Sequence, residues 1–160
     1  MNQGRGIRSA TTFGLFAILM VLITGGTATA DCCCPGTGSP GYWMNHPEAW
    51  PQCTICIGEV SYCKDRAIEL MKAPTAGDKT CTLFQALVAA KLNVLIGNCS
   101  CCIDCTISQA DTWLIDNPLK SNVRGNSCAW KCGEPLYCKL DAYNNGQLCA
   151  PSRDELEADD

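Results

Sequence analysis

Fifteen cysteines are the residues of this chain best equipped for chemistry, and their grouping narrows what that chemistry is. Cys32, Cys33 and Cys34 stand together ahead of "PGTGSPGYWMNHPEAW". Cys53-x2-Cys56 and Cys102-x2-Cys105 have the bite with which two thiolates grip one tetrahedral ion, and Cys99 and Cys101 thicken the second group. Three chemistries compete for these thiols: disulfide cross-linking, metal binding and thiol–disulfide exchange.

For cross-linking, the adjacent trio is the informative feature. Successive side chains of an extended strand point to opposite faces, so three neighbouring cysteines cannot all bond one surface. A disulfide also needs its two Cα atoms within roughly 7 Å. A short arm carrying Cys32, Cys33 and Cys34 therefore docks on its own domain through one thiol and offers the others to a second copy. Repeated head to tail, such a contact builds a filament or sheet. The plainer alternative is a clasp within one chain. A metal centre would instead use Cys53, Cys56, Cys102 and Cys105 to hold zinc, copper(I) or an iron–sulfur cluster. The two pairs are separated by 45 residues, longer than common zinc-ribbon spacings. An oxidoreductase would use one Cys-x-x-Cys beside a helix N-terminus. A helix is expected after Cys105, but no thioredoxin-like alternation of strands and helices surrounds it. Under the cross-linking reading no cofactor is needed, and the balance leans away from an enzyme.

Redox compartment bears on the choice. Residues 1–30 carry Arg5 and Arg8, no acidic residue, the apolar run "FGLFAILMVLI" and then Ala28-Thr29-Ala30. That order of basic, apolar and small residues is the pattern of a secretory signal peptide cleaved after Ala30. The run is short for a bilayer span, so no membrane span is expected after cleavage. The expected location is extracellular or at the cell surface, where thiols oxidise in pairs. Fifteen is odd, so at least one thiol stays free, meets a partner or binds something else.

Charge excludes one class of partner. Without residues 1–30, ten basic residues face sixteen acidic ones, a net charge of −6, and five of the acids lie in "DELEADD". No basic stripe is present to hold phosphates, so nucleic acid is not expected as a partner. His46 is the only histidine and has no nucleophile motif around it, so no catalytic residue is assigned. Asn45 and His46 fit a turn that bonds backbone, with Tyr42, Trp43 and Trp50 packing on the domain as a structural motif. The alternative for these aromatics is a carbohydrate platform. Asn98-Cys99-Ser100 matches a glycosylation sequon, so a surface glycan is the other partner to consider.

The elements that must position these residues form a mainly α domain of about four helices with one short β-hairpin, rich in disulfides. The expected organisation is a signal peptide at 1–30, a cysteine-rich flexible arm at 31–40, the helical domain at 41–151 and an acidic, structureless tail at 152–160. "TICIGEVSY" alternates about Gly58-Glu59, which predicts a two-residue hairpin turn. A helix follows over Lys64–Lys72, ended by Pro74. "CTLFQALVAAKLNVLIGN" predicts the central buried helix, with Thr82 and Gln85 as a capping box and Gly97 as the stop. A third helix is predicted from Ile107, capped by Thr106 with Gln109 three residues on, to a stop before Pro118. A fourth is predicted from Pro135 to "NNG".

Several stretches resemble a known family. "SPGYWMNHPEAWP", "GDKTCTLFQALVAAKLNVLIGN", "ADTWL" and "LDAYNNGQLCAPSRD" are similar to secreted bacterial proteins with a Thr-Pro-Gly-Tyr-Trp-Lys-Asn-His-Pro-Glu-Ala-Trp-Pro signature. The resemblance spans residues 39–154, and Ser39 and Met44 depart from the signature's Thr and Lys. It implies an exported bacterial surface or extracellular protein and no particular activity. It also implies fewer cysteines in typical members, with Thr or aliphatic residues at the positions of Cys56 and Cys63. On that basis many thiols here are additions to a fold that does not need them. The expected function is a secreted structural or assembly protein that associates with copies of itself, fastened through Cys32, Cys33 and Cys34.

Overall fold

A computed structural model describes residues 34–75 and 77–158; the expected signal peptide, Cys32 and Cys33 lie outside the described residues. The fold is mainly helical with one two-stranded antiparallel hairpin, as its sequence predicts. The elements are α1 (Pro40–Asn45), a 3-10 turn (Pro47–Ala49), β1 (Thr54–Ile57), β2 (Val60–Cys63), α2 (Lys64–Lys72), α3 (Lys79–Leu95), α4 (Asp104–Asp116), α5 (Cys128–Asn144) and α6 (Arg153–Ala158). Among the described residues no helix is long and apolar enough to cross a membrane.

α3 is the hub. Leu83, Phe84, Leu87, Val88 and Leu92 are each no more than 1 % exposed, and their faces meet α5, α4, α1 and α2. Leu95, the last residue of α3, is exposed, although Leu92 and Asn93 in the same turn are fully buried. β1 turns Ile55 and Ile57 inward and pairs with β2 in the register Thr54–Cys63, Ile55–Tyr62, Cys56–Ser61 and Ile57–Val60. Both turn residues, Gly58 and Glu59, have positive φ, the type I′ geometry whose twist matches the strands. An Asp111–Lys91 ion pair braces the hairpin: Asp111 accepts from the Gly58 N–H, and Lys91 donates to the Cys56 carbonyl.

Three helix starts differ from expectation. α3 begins three residues before Thr82, capped by Asp78, so Thr82 and Gln85 form no capping box; Gln85 instead donates to the Met71 carbonyl. α4 begins at Asp104, which places Thr106 inside the helix and buried rather than at its cap. α5 begins at Cys128, capped by Ser127, and runs through Pro135. Proline removes one N–H from the ladder. The helix persists because Trp130 and Gly133, five and two residues earlier, are buried against Trp113, whose indole donates to the Ala129 carbonyl.

Asp78 gathers more than a helix end. Its carboxylate accepts from the Thr80 N–H and hydroxyl and from the Asn122 and Val123 N–H groups, closing the α4–α5 loop onto α3. Asp78→Ala should therefore cost about 2 kcal/mol, above an ordinary cap, because two loop amides also lose their acceptor. Urea titration against wild type checks this; a cost no larger than a few tenths would show the loop holds without it.

The arm and the tail are also more ordered than expected. Thr37 bridges Ser152 in parallel fashion, donates to the Pro151 carbonyl and accepts from the Arg153 N–H. Asn98 Nδ2 donates to the Gly36 carbonyl, and Asn93 brackets Gly38. From residue 36 onward the arm is therefore a buried strap, because buried asparagines satisfy the backbone groups that "PGTGSP" would otherwise leave to water. The acidic tail starts as α6.

Candidate functional site

The motif that opens the domain is structural. Trp43 is fully buried and its indole donates to Asn93 Oδ1; Trp50 is 7 % exposed and its indole donates to the Trp43 carbonyl. Both indoles face inward, which removes them from any carbohydrate platform. Tyr42 is half-buried, and Asn45 and His46 are exposed. The His46 ring stacks on Tyr42 and pairs with Glu48, at 2.9 Å from Nδ1 to Oε1, rather than bonding backbone through its side chain. The backbone hydrogen bond there, followed by His46, lowers the Glu48 pKa. Asn98 is only 4 % exposed and its amide nitrogen serves the strap and α3, so the folded sequon offers no glycan acceptor.

Neither Cys-x-x-Cys pair closes. Cys53 lies in the bend before β1 and Cys56 within the strand; both are exposed and no bond joins them. Cys56 instead shares the outer face with Cys63, diagonally across the ladder. Cys102 is bonded to Cys149 in the loop after α5, with a Cα–Cα distance of 5.9 Å, while Cys105 sits in the first turn of α4. The expected metal set of Cys53, Cys56, Cys102 and Cys105 is therefore not assembled, and neither is an exchange dithiol of Cys102 and Cys105.

A different set comes together. The α3–α4 loop brings Cys99 and Cys101 Sγ to 3.2 Å of each other, and both lie within 4.8 Å of Cys149 Sγ. The Cys149 N–H donates to Cys102 Sγ at 3.3 Å, and the Tyr143 hydroxyl donates to the Cys99 carbonyl at 3.0 Å. The Cys101 backbone N–H and then its thiol hold Cys99 below the ordinary thiol range, and the bond to Cys99 raises Cys101 above it. Burial, then the neighbouring thiols of Cys99 and Cys34, push the Tyr143 phenol well above its usual range. Sequence reasoning counted Cys99 and Cys101 as companions and missed Cys149; the adjacency of "CSCC" was the available signal, but no local pattern names a partner 47 residues on.

Most of the remaining thiols face outward. Cys53, Cys56 and Cys63 are exposed on or beside the hairpin, and Cys128, Cys132 and Cys138 are exposed along α5. Cys81 is buried, and burial raises its pKa. Cys34 is half-buried at the start of the strap.

No protein family, curated protein or solved structure matches this chain.

Proposed function

We propose that the chain is an exported bacterial structural protein, of the kind with the Thr-Pro-Gly-Tyr-Trp signature, that fastens to copies of itself through disulfides. One observation carries the reading. Among the described residues, eight unpaired cysteines are exposed, on a domain whose described core contains only one cysteine, Cys81, among its buried side chains. Thiols held outward on a hairpin and a helix contribute little to packing, whereas they are placed to meet a second molecule. The N-terminal cysteines extend this array. The strap anchors the chain from residue 36, so Cys34 stays beside the domain and Cys32 and Cys33 are the members of the trio farther along the chain from that anchor.

The test is intact mass and non-reducing electrophoresis of protein from its native source. A ladder of covalent multimers that collapses on reduction is expected. Replacing Cys32 and Cys33 by Ser should leave helical circular dichroism unchanged and strip most of the ladder. A wild-type monomer with most surface thiols free would overturn the proposal.

A further inference from the structure

We propose that Cys99, Cys101, Cys102 and Cys149 form a tetrathiolate site for a thiophilic divalent cation of the zinc class, closed while Cys102 and Cys149 are bonded and opened by their reduction. This site uses none of the hairpin or α5 thiols and, of the exposed cysteines above, only Cys101.

Geometry is the first argument. Metal–sulfur bonds of about 2.3 Å set the edges of a sulfur tetrahedron at about 3.8 Å. Cys99 and Cys101 Sγ are 3.2 Å apart, and the three sulfurs of Cys99, Cys101 and Cys149 all lie within 4.8 Å of one another. Cys102 Sγ, held beside the three by its bond to Cys149, lies outside that 4.8 Å group and is the thiol that reduction frees to supply the fourth ligand. Once that bond opens, Cys102 and Cys149 Sγ can separate to a tetrahedral edge and close the set on the other two sulfurs.

The frame is the second argument. Ile103, next to Cys102, is fully buried, and Ala150, next to Cys149, is 2 % exposed, so each half of the site is pinned by an apolar neighbour. Tyr143 ties Cys99 to α5 through its carbonyl. The Cys149 N–H already points at Cys102 Sγ, the outer-shell hydrogen bond that orients a thiolate ligand. Cys101 is exposed and leaves an entry path.

The chemistry balances with one co-reactant, a small dithiol. The dithiol gives two electrons and two protons to the Cys102–Cys149 bond and becomes a disulfide itself. The four resulting thiols then release four protons as they bind one divalent ion. A small disulfide takes the two electrons back and becomes a dithiol, the Cys102–Cys149 bond re-forms, and the ion leaves as four protons are taken up, two by that dithiol and two by Cys99 and Cys101.

The experiment uses the full chain with every cysteine except these four and Cys81 changed to Ser. After anaerobic reduction by a dithiol and its removal, zinc should bind at about one ion per chain, and cobalt(II) should give the visible bands of a tetrahedral thiolate centre. Cys101→Ser in that background should weaken zinc by more than the roughly hundredfold that losing an outer-shell partner costs. The unreduced protein should bind none. Cobalt bands that survive Cys101→Ser, or zinc bound equally before and after reduction, would overturn the proposal. If that background does not fold, the reduced wild-type chain serves: zinc should protect Cys99, Cys101, Cys102 and Cys149 from alkylation and leave Cys128 reactive, and equal labelling of all five with and without zinc would sink the idea.

Discussion

Asn93→Leu is expected to lower the unfolding free energy by at least about 4 kcal/mol, among the largest single losses this domain can show. Asn93 is fully buried on α3 and uses its whole side chain. Its Oδ1 accepts from the Gly38 N–H at 2.7 Å and the Trp43 indole at 3.1 Å; its Nδ2 donates to the Gly38 carbonyl at 2.9 Å and to Asn144 Oδ1 at 3.0 Å. Asn144 passes the chain on to the Ala86 carbonyl. Leucine nearly conserves volume and removes every one of these bonds, so four polar groups lose their partner where water cannot replace it. Each stranded group costs about 1–3 kcal/mol, with neighbouring losses overlapping. Urea midpoints at a fixed redox state measure the loss, with exposed Asn145→Ala as a control expected within about 0.5 kcal/mol. Faster proteolysis near the strap should accompany it. A loss under about 1 kcal/mol would mean that the strap and α1 are not held by this network.

Gly146→Ala is expected to cost about 3 kcal/mol and to loosen the loop that carries Cys149. Gly146 has φ +75°, and a Cβ there would collide with the Ser152 nitrogen and lie 2.8 Å from its Cα. Those atoms are backbone in the segment that bridges Thr37, so they cannot swing aside as a side chain would. Gly97→Ala separates the two causes. Its φ is +104° with nothing within 4 Å, so it should show only the conformational cost of about 1 kcal/mol. Equal midpoints for the two variants would show that the Ser152 contact yields freely. Mapping of the Cys102–Cys149 peptide by mass under limiting dithiol should find that bond reduced sooner in Gly146→Ala.

Some elements were legible because their signals are local. α2 runs over Lys64–Lys72 as predicted, since Pro74 bars continuation and the strand before it ends in a β-region cap. The hairpin turn follows from Gly58, and α5 stops at Asn144 where Gly146 takes positive φ. The buried character of α3 was legible too, because its apolar residues leave little polar face. The helix starts failed where a local pattern competed with a distant partner. Thr82 and Gln85 match a capping box, yet Asp78 wins because it also binds Asn122 and Val123 amides across the fold. Pro135 looks like a first-turn residue, yet packing of Trp130 and Gly133 on Trp113 carries the helix past it.

What the sequence by itself determined is the fold class, the hairpin with its register, the central helix and a cysteine content far beyond what the core needs. Periodicity of two and of 3.6, with glycine and proline as stops, is encoded within a few residues and needs no partner to be read. Only the tertiary structure decided which thiols meet. It left Cys53 and Cys56 unbonded, took Cys102 from Cys105 through the Cys102–Cys149 bond, and drew Cys99 and Cys101 to Cys149 instead. It also turned "PGTGSP" from a tether into a strap. Both outcomes rest on contacts between residues tens of positions apart, where buried asparagines and a loop closed over α5 set the geometry, and spacing along a chain carries no record of such contacts.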